Sequence, residues 1–127
     1  MGAPAAALPV GLPTTLVVGA RAGAREAAIA ARLDGGGGVA AAILEGLPDG
    51  QFCLEAGPTL LVKRIAPACL CCAGNLVLRV TLNRLLRERP ARLYIGLASA
   101  EHVTRLRSWL STAPYDQLLT LTPDLAT

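Results

Sequence analysis

Aromatic side chains are scarce, at 3% of the 127 residues. A core built without them has to be aliphatic, and Ala, Leu and Val carry most of the 53% hydrophobic content. The same scarcity argues against a nucleic-acid reader, which needs stacking rings and a concentrated basic face. The net charge is only +3, and the arginines are scattered among Asp and Glu. No apolar run reaches the length of a membrane span. Residues 1–13 are rich in Ala and Pro and carry no basic stretch, so they make a poor secretory signal and read as a flexible lead. There is no internal repeat. These absences leave one aliphatic-cored domain over residues 14–127, with the cytoplasm as the default location and neither nucleic acid nor membrane as partner.

The pattern within that domain alternates strand and helix. Residues 14–18 are a β-branched apolar run typical of a buried parallel strand. Gly19-Ala20-Arg21-Ala22-Gly23 is a small-residue loop, and helix formers follow over 24–33. The glycines at 35–38 end that helix. Strands are expected at 39–44, 59–65, 93–95 and 118–121, with a short candidate at 52–54. Gly46-Leu47-Pro48-Asp49-Gly50 is turn chemistry. Leu78, Leu82 and Leu85 recur at helical spacing over 76–89, which Pro90 stops. Val103, Leu106 and Leu110 mark a further helix over 101–110. The fold expected is an open, mostly parallel α/β sheet with right-handed crossovers, its central strands being 16–18, 39–44, 93–95 and 118–121.

Against this background one local feature carries chemistry. Cys69-Leu70-Cys71-Cys72 places three thiols in four positions, between a strand and a helix. Such a cluster cannot make a disulfide scaffold and points to metal or redox chemistry. Thiolates are soft ligands that suit Zn²⁺, Cu(I) or a similar ion. Cys69 with Cys71 or Cys72 can close a small chelate ring, but adjacent cysteines diverge, so a closed site needs ligands from elsewhere. Glu45 and His102 are the candidates, with Cys53 a third. Each also has a plainer reading. The three clustered thiols are small core hydrophobes on that view, and so is Cys53, between Phe52 and Leu54. Glu45 is a solvated acid beside a turn, and His102 a partly packed side chain near Leu106 and Trp109.

The order of these pieces resembles the N-terminal GTPase domain of the CobW-like metallochaperones. Members carry a Gly-Cys-x-Cys-Cys signature, a Leu-rich helix, a buried strand and a Gly-Leu-Ala-Asp-Pro turn. The matching pieces are Ala68-Cys69-Leu70-Cys71-Cys72, the helix at 76–89, the strand at 93–95 and Gly96-Leu97-Ala98-Ser99-Ala100. The resemblance implies a P-loop-type sheet, here truncated, an acidic residue at Glu45, and a metal, most naturally zinc, as cargo of the thiols.

The departures concern the nucleotide. A phosphate loop reads GxxxxGK[ST], because backbone N–H groups and a Lys cradle phosphates while a hydroxyl holds Mg²⁺. Aligned on Gly19, the chain offers Ala24, Arg25 and Glu26 in place of the second Gly, the Lys and the hydroxyl. What remains is a vestige: Gly19, Gly23 and an Arg25 expected to be exposed at the loop–helix junction. Glu26 is expected to occupy the phosphate's place at the helix N-terminus. The family's Glu-Thr-x-Gly segment is also lost, leaving Gly96 alone. The expectation is therefore a metal-binding protein without nucleotide turnover. Two rivals stand beside it. One is a GTP-binding metallochaperone with an atypical loop, resting on Arg25. The other is an interaction module whose uncovered sheet edge docks a second copy or another polypeptide.

Overall fold

A computed structural model describes residues 11–33, 38–66 and 76–127. Its elements run β1 (Leu12–Val18), α1 (Ala22–Leu33), β2 (Ala40–Glu45), β3 (Leu60–Ile65), α2 (Leu76–Glu88), β4 (Arg92–Leu97), α3 (Ala100–Leu110), α4 (Tyr115–Leu118), β5 (Leu119–Leu121) and β6 (Leu125–Ala126). The named strands form one sheet in the order β3-β2-β4-β1-β5, and β6 pairs with the same side of β1 further along. Every named pairing is parallel. The fold is thus an open parallel α/β sheet flanked by helices, as the sequence pattern suggests.

The two faces of the sheet are covered differently. β1 connects through α1 toward the β3 side, whereas β3 and β4 connect through α2 and α3 in the opposite sense. Right-handed crossovers then put α1 on one face and α2 and α3 on the other. The packing agrees. Leu78, Leu82 and Leu85 of α2 and Val103, Leu106 and Leu110 of α3 bury against Leu16, Ile43, Leu93 and Ile95. Ile29 of α1 buries against Val17, Ala42, Leu44 and Tyr94. β2, Ala-Ala-Ala-Ile-Leu-Glu, is buried along its whole length, which suits a strand covered on both faces.

No helix joins β2 to β3. Residues 46–59 cover the α1 face instead, and Leu54 drops into its core. Residues 52–54 form no strand: this stretch is a loop, and Phe52 is 39% exposed. Cys53 within it is exposed rather than packed in the core, because Leu54, not Cys53, is the residue that faces the sheet. A second correction concerns the strand at the C-terminal end. Residues 119–121 form β5 at the margin of the sheet rather than a central strand. The helices begin and end close to the expected positions. α1 starts at Ala22, so the supposed loop glycine Gly23 lies in its first turn. Among the described residues no helix is long and apolar enough to cross a membrane.

Candidate functional site

β1 and β4 are neighbours, yet the helices that follow them lie on opposite faces. The chain therefore parts at their C-terminal ends and leaves a crevice, the place where open α/β sheets bind ligands. A hollow of about 630 Å³ opens there, lined by Arg21, Arg25, Glu45, Asp49, Gln51 and Ala98 among others. Its walls carry both signs of charge.

The Arg25 side chain is turned into the protein, with the residue only 4% exposed. Its Nη1 donates to the Gly19 carbonyl at 2.5 Å and its Nη2 to the Glu45 carbonyl at 3.1 Å. The expected exposed arginine is thus a buried tie between the ends of β1 and β2. Two of its donors that would meet a phosphate are already spent on carbonyls.

The carboxylate at the N-terminus of α1 is not the expected one. Asp49 Oδ2 accepts the Gly23 N–H at 2.8 Å, and Oδ1 accepts the N–H of Gln51 at 2.9 Å. The second bond is the local turn that Asp favours; the first caps a helix 26 residues away. These N–H bonds, that of Gly23 foremost, hold the Asp49 carboxyl below its usual range. Gly23 makes the approach possible, since a Cβ there would lie 2.7 Å from Asp49 Oδ1.

Glu26 lies one turn too late for that position. The free N–H groups of a helix belong to its first four residues, and Glu26 is the fifth of α1. The residue is 2% exposed and holds residues 46–59 in place. Its Oε1 accepts the Leu54 N–H at 2.7 Å, and Arg64 of β3 grips both oxygens at 2.9 Å. Arg64 Nη2 also donates to the Leu54 carbonyl at 3.3 Å and lies 3.5 Å from Cys53 Sγ. Burial pushes the Glu26 carboxyl up. The hydrogen bonds from Arg64 and Leu54, with the charges of Arg64 and Arg25, outweigh burial and lower it overall.

Glu45 and His102 come together. Glu45 is 2% exposed, not a solvated acid. Its Oε1 accepts the Ala98 N–H at 2.6 Å, and its Oε2 lies 3.1 Å from His102 Nδ1. A carboxylate only accepts, so Nδ1 is the donor and Nε2 is the nitrogen left for another partner. Ser99 places the histidine. Its Oγ accepts the N–H groups of Glu101 and His102 and so caps α3. Trp109 packs elsewhere, against Tyr115. Glu45 is also opposite Ile65 in the β2–β3 register.

Comparison with protein-family models, curated proteins and solved structures finds no match. The site is accordingly read from its own atoms. Cys69, Cys71 and Cys72 lie outside the described residues. Among the described residues, no three His, Cys, Asp or Glu side chains gather as a metal cluster. The geometry pairs Glu45 with His102 and leaves Cys53 apart from them, beside Arg64. Sequence reading missed Asp49, Arg64 and Ser99. Asp49 was legible only as a turn residue. Arg64 carried a usable signal, since Lys63-Arg64 inside an apolar strand marks a sheet margin and a buried stem in need of a carboxylate. Ser99 two residues before Glu101 is an N-cap pattern.

Proposed function

We propose that the chain is a CobW-like protein that has given up nucleotide turnover and handles a thiophilic ion, zinc by preference, through Cys69 and either Cys71 or Cys72, with His102. The observation that carries this reading is the Glu45–His102 pair at the C-terminal end of the sheet. Glu45 faces Ile65 across the β2–β3 register, and the chain runs from Ala66 to Cys69 within three residues, a reach of at most about 11 Å. A hollow of about 370 Å³ lined by Gly46, Leu47, Arg64, Ile65 and Ala66 opens at the C-terminal ends of β2 and β3. A carboxylate that accepts a hydrogen bond from the Nδ1–H of a histidine is the usual support of a metal-bound imidazole, because it fixes the ring and raises its basicity. Glu45 is then the positioning residue and His102 the ligand through Nε2, rather than two ligands side by side. Two thiolates and one imidazole leave a fourth position open, which suits a carrier that must release its ion.

The loss of nucleotide chemistry is supported by Asp49 and Arg25. A phosphate at the N-terminus of α1 would have to displace the Asp49 carboxylate and would meet an arginine already bound to two carbonyls. The expected result is no turnover of GTP or ATP and affinity no better than about millimolar. Elemental analysis of protein purified under reducing conditions, with calorimetry of Mg²⁺–GTP, tests both halves. About one zinc per chain or per dimer and no saturable heat from nucleotide are expected. Micromolar GTP binding without zinc would overturn the reading in favour of the nucleotide rival.

A further inference from the structure

β3 ends the sheet among the described residues, since β2 is its neighbour on one side only. Ala40 donates to the Thr59 carbonyl and Gly46 to the Ile65 carbonyl. Residues 61, 63 and 65 of the parallel ladder therefore turn their amide groups toward β2. Leu60 closes on Gly57 through a pair of hydrogen bonds. Val62 and Arg64 turn their N–H and C=O groups outward.

A groove of about 330 Å³ runs along this edge on the α2 side, lined by Leu61, Lys63, Arg84, Leu85, Arg87 and Glu88. Leu61 and Leu85 make its apolar floor. Lys63, Arg84 and Arg87 are exposed cations, and none forms an ion pair among the described residues. One anion, Glu88, faces three cations. We propose that the outer edge of β3 accepts an extended acidic segment of a partner protein as an added strand. Main-chain bonds to Val62 and Arg64 give the pairing, and carboxylates on alternate residues meet Lys63, Arg84 and Arg87. Charge decides against a second copy of this chain as the occupant. Two β3 edges paired about a twofold axis would bring the same three cations onto one another. The inference stands apart from the metal reading, because it uses none of the proposed ligands and not the residue that positions them.

The test uses the full chain and a fluorescein-labelled, acetylated ten-residue peptide of alternating Glu and Val. Fluorescence anisotropy should show saturable binding, with a matched Lys and Val peptide at least about tenfold weaker. The double variant Arg84→Glu/Arg87→Glu should reverse that preference. A Glu and Val peptide N-methylated on every second residue, on its pairing edge, keeps the charge but loses the donors, and should bind at least about tenfold more weakly. Equal binding of the N-methylated peptide would reduce the groove to a charged surface and overturn the proposal. So would absence of saturable binding, or a wild-type dimer in sedimentation that excludes the peptide.

Discussion

The two corners at the C-terminal end of the sheet are built from similar residue types and end in opposite conditions. At the β1–α1 corner the groups that would meet a ligand are already bound to backbone. Arg25 is bound to two carbonyls, and the Asp49 carboxylate caps the helix. At the β2–β4 corner Glu45 is also fully engaged, but it holds His102 by one nitrogen and leaves the other without a partner among the described residues. A charged side chain bound to its own backbone is structure. One that orients a neighbour and leaves it a spare lone pair is a site. The contrast separates a corner whose polar groups are closed on backbone from one that presents an imidazole nitrogen.

The largest effect should come from the anchor beneath the first corner. Glu26→Ala removes the acceptor of the Leu54 N–H and leaves Arg64 without its carboxylate. It should cost about 3 kcal/mol in chemical denaturation. Arg25→Ala comes next, at about 2 kcal/mol, because it strands two buried carbonyls. A cost under about 0.5 kcal/mol, as for an exposed arginine, would break the comparison at once.

A pH series sharpens it. The Glu26 carboxyl is lowered in the folded state, so its contribution is complete above the unfolded value near 4.5 and fades as pH falls through the folded value. Wild type should therefore lose more stability than Glu26→Gln between about pH 5 and about pH 3, as read by denaturant midpoints. Equal slopes would remove Glu26 as the anchor. At the second corner the order inverts. His102→Ala should cost at most about 1 kcal/mol, since the ring is partly exposed, yet weaken zinc binding at least about tenfold. The smallest effect lies far from both. Arg89 holds φ at 54°, a conformation costly for a side chain with a Cβ. Arg89→Gly should raise stability by about 0.5 kcal/mol, measurable as a small rise in the thermal midpoint.

The sheet and its helices were legible because their signals are local. Leu78, Leu82 and Leu85 report one face of a helix, and the apolar runs at β1, β2 and β4 report buried strands. The conditions of the corners were not legible. Whether Arg25 points to solvent or inward depends on the end of β2, twenty residues on. Which acid reaches the N-terminus of α1 depends on how residues 46–59 fold back over it. Glu26 misses the free N–H groups because helix α1 begins two residues earlier than its apolar pattern, and Asp49 takes that place while keeping its own turn. Phe52 and Leu54 looked like a strand because alternation over three residues does not distinguish a strand from a loop that buries one side chain. Glu45 was singled out as a candidate ligand, but its partner could be found only once β2 and α3 were brought side by side.

On the proposed reading, an ion held by the clustered thiolates meets His102 at the second corner. Cobalt(II) titration of the reduced protein reads this directly. Wild type should show thiolate-to-metal charge transfer saturating at about one equivalent. Cys69→Ser/Cys72→Ser should abolish that band, Cys53→Ser should leave it intact, and His102→Gln should keep it but shift the ligand-field bands and weaken binding. No charge-transfer band in the reduced wild-type protein would contradict the account.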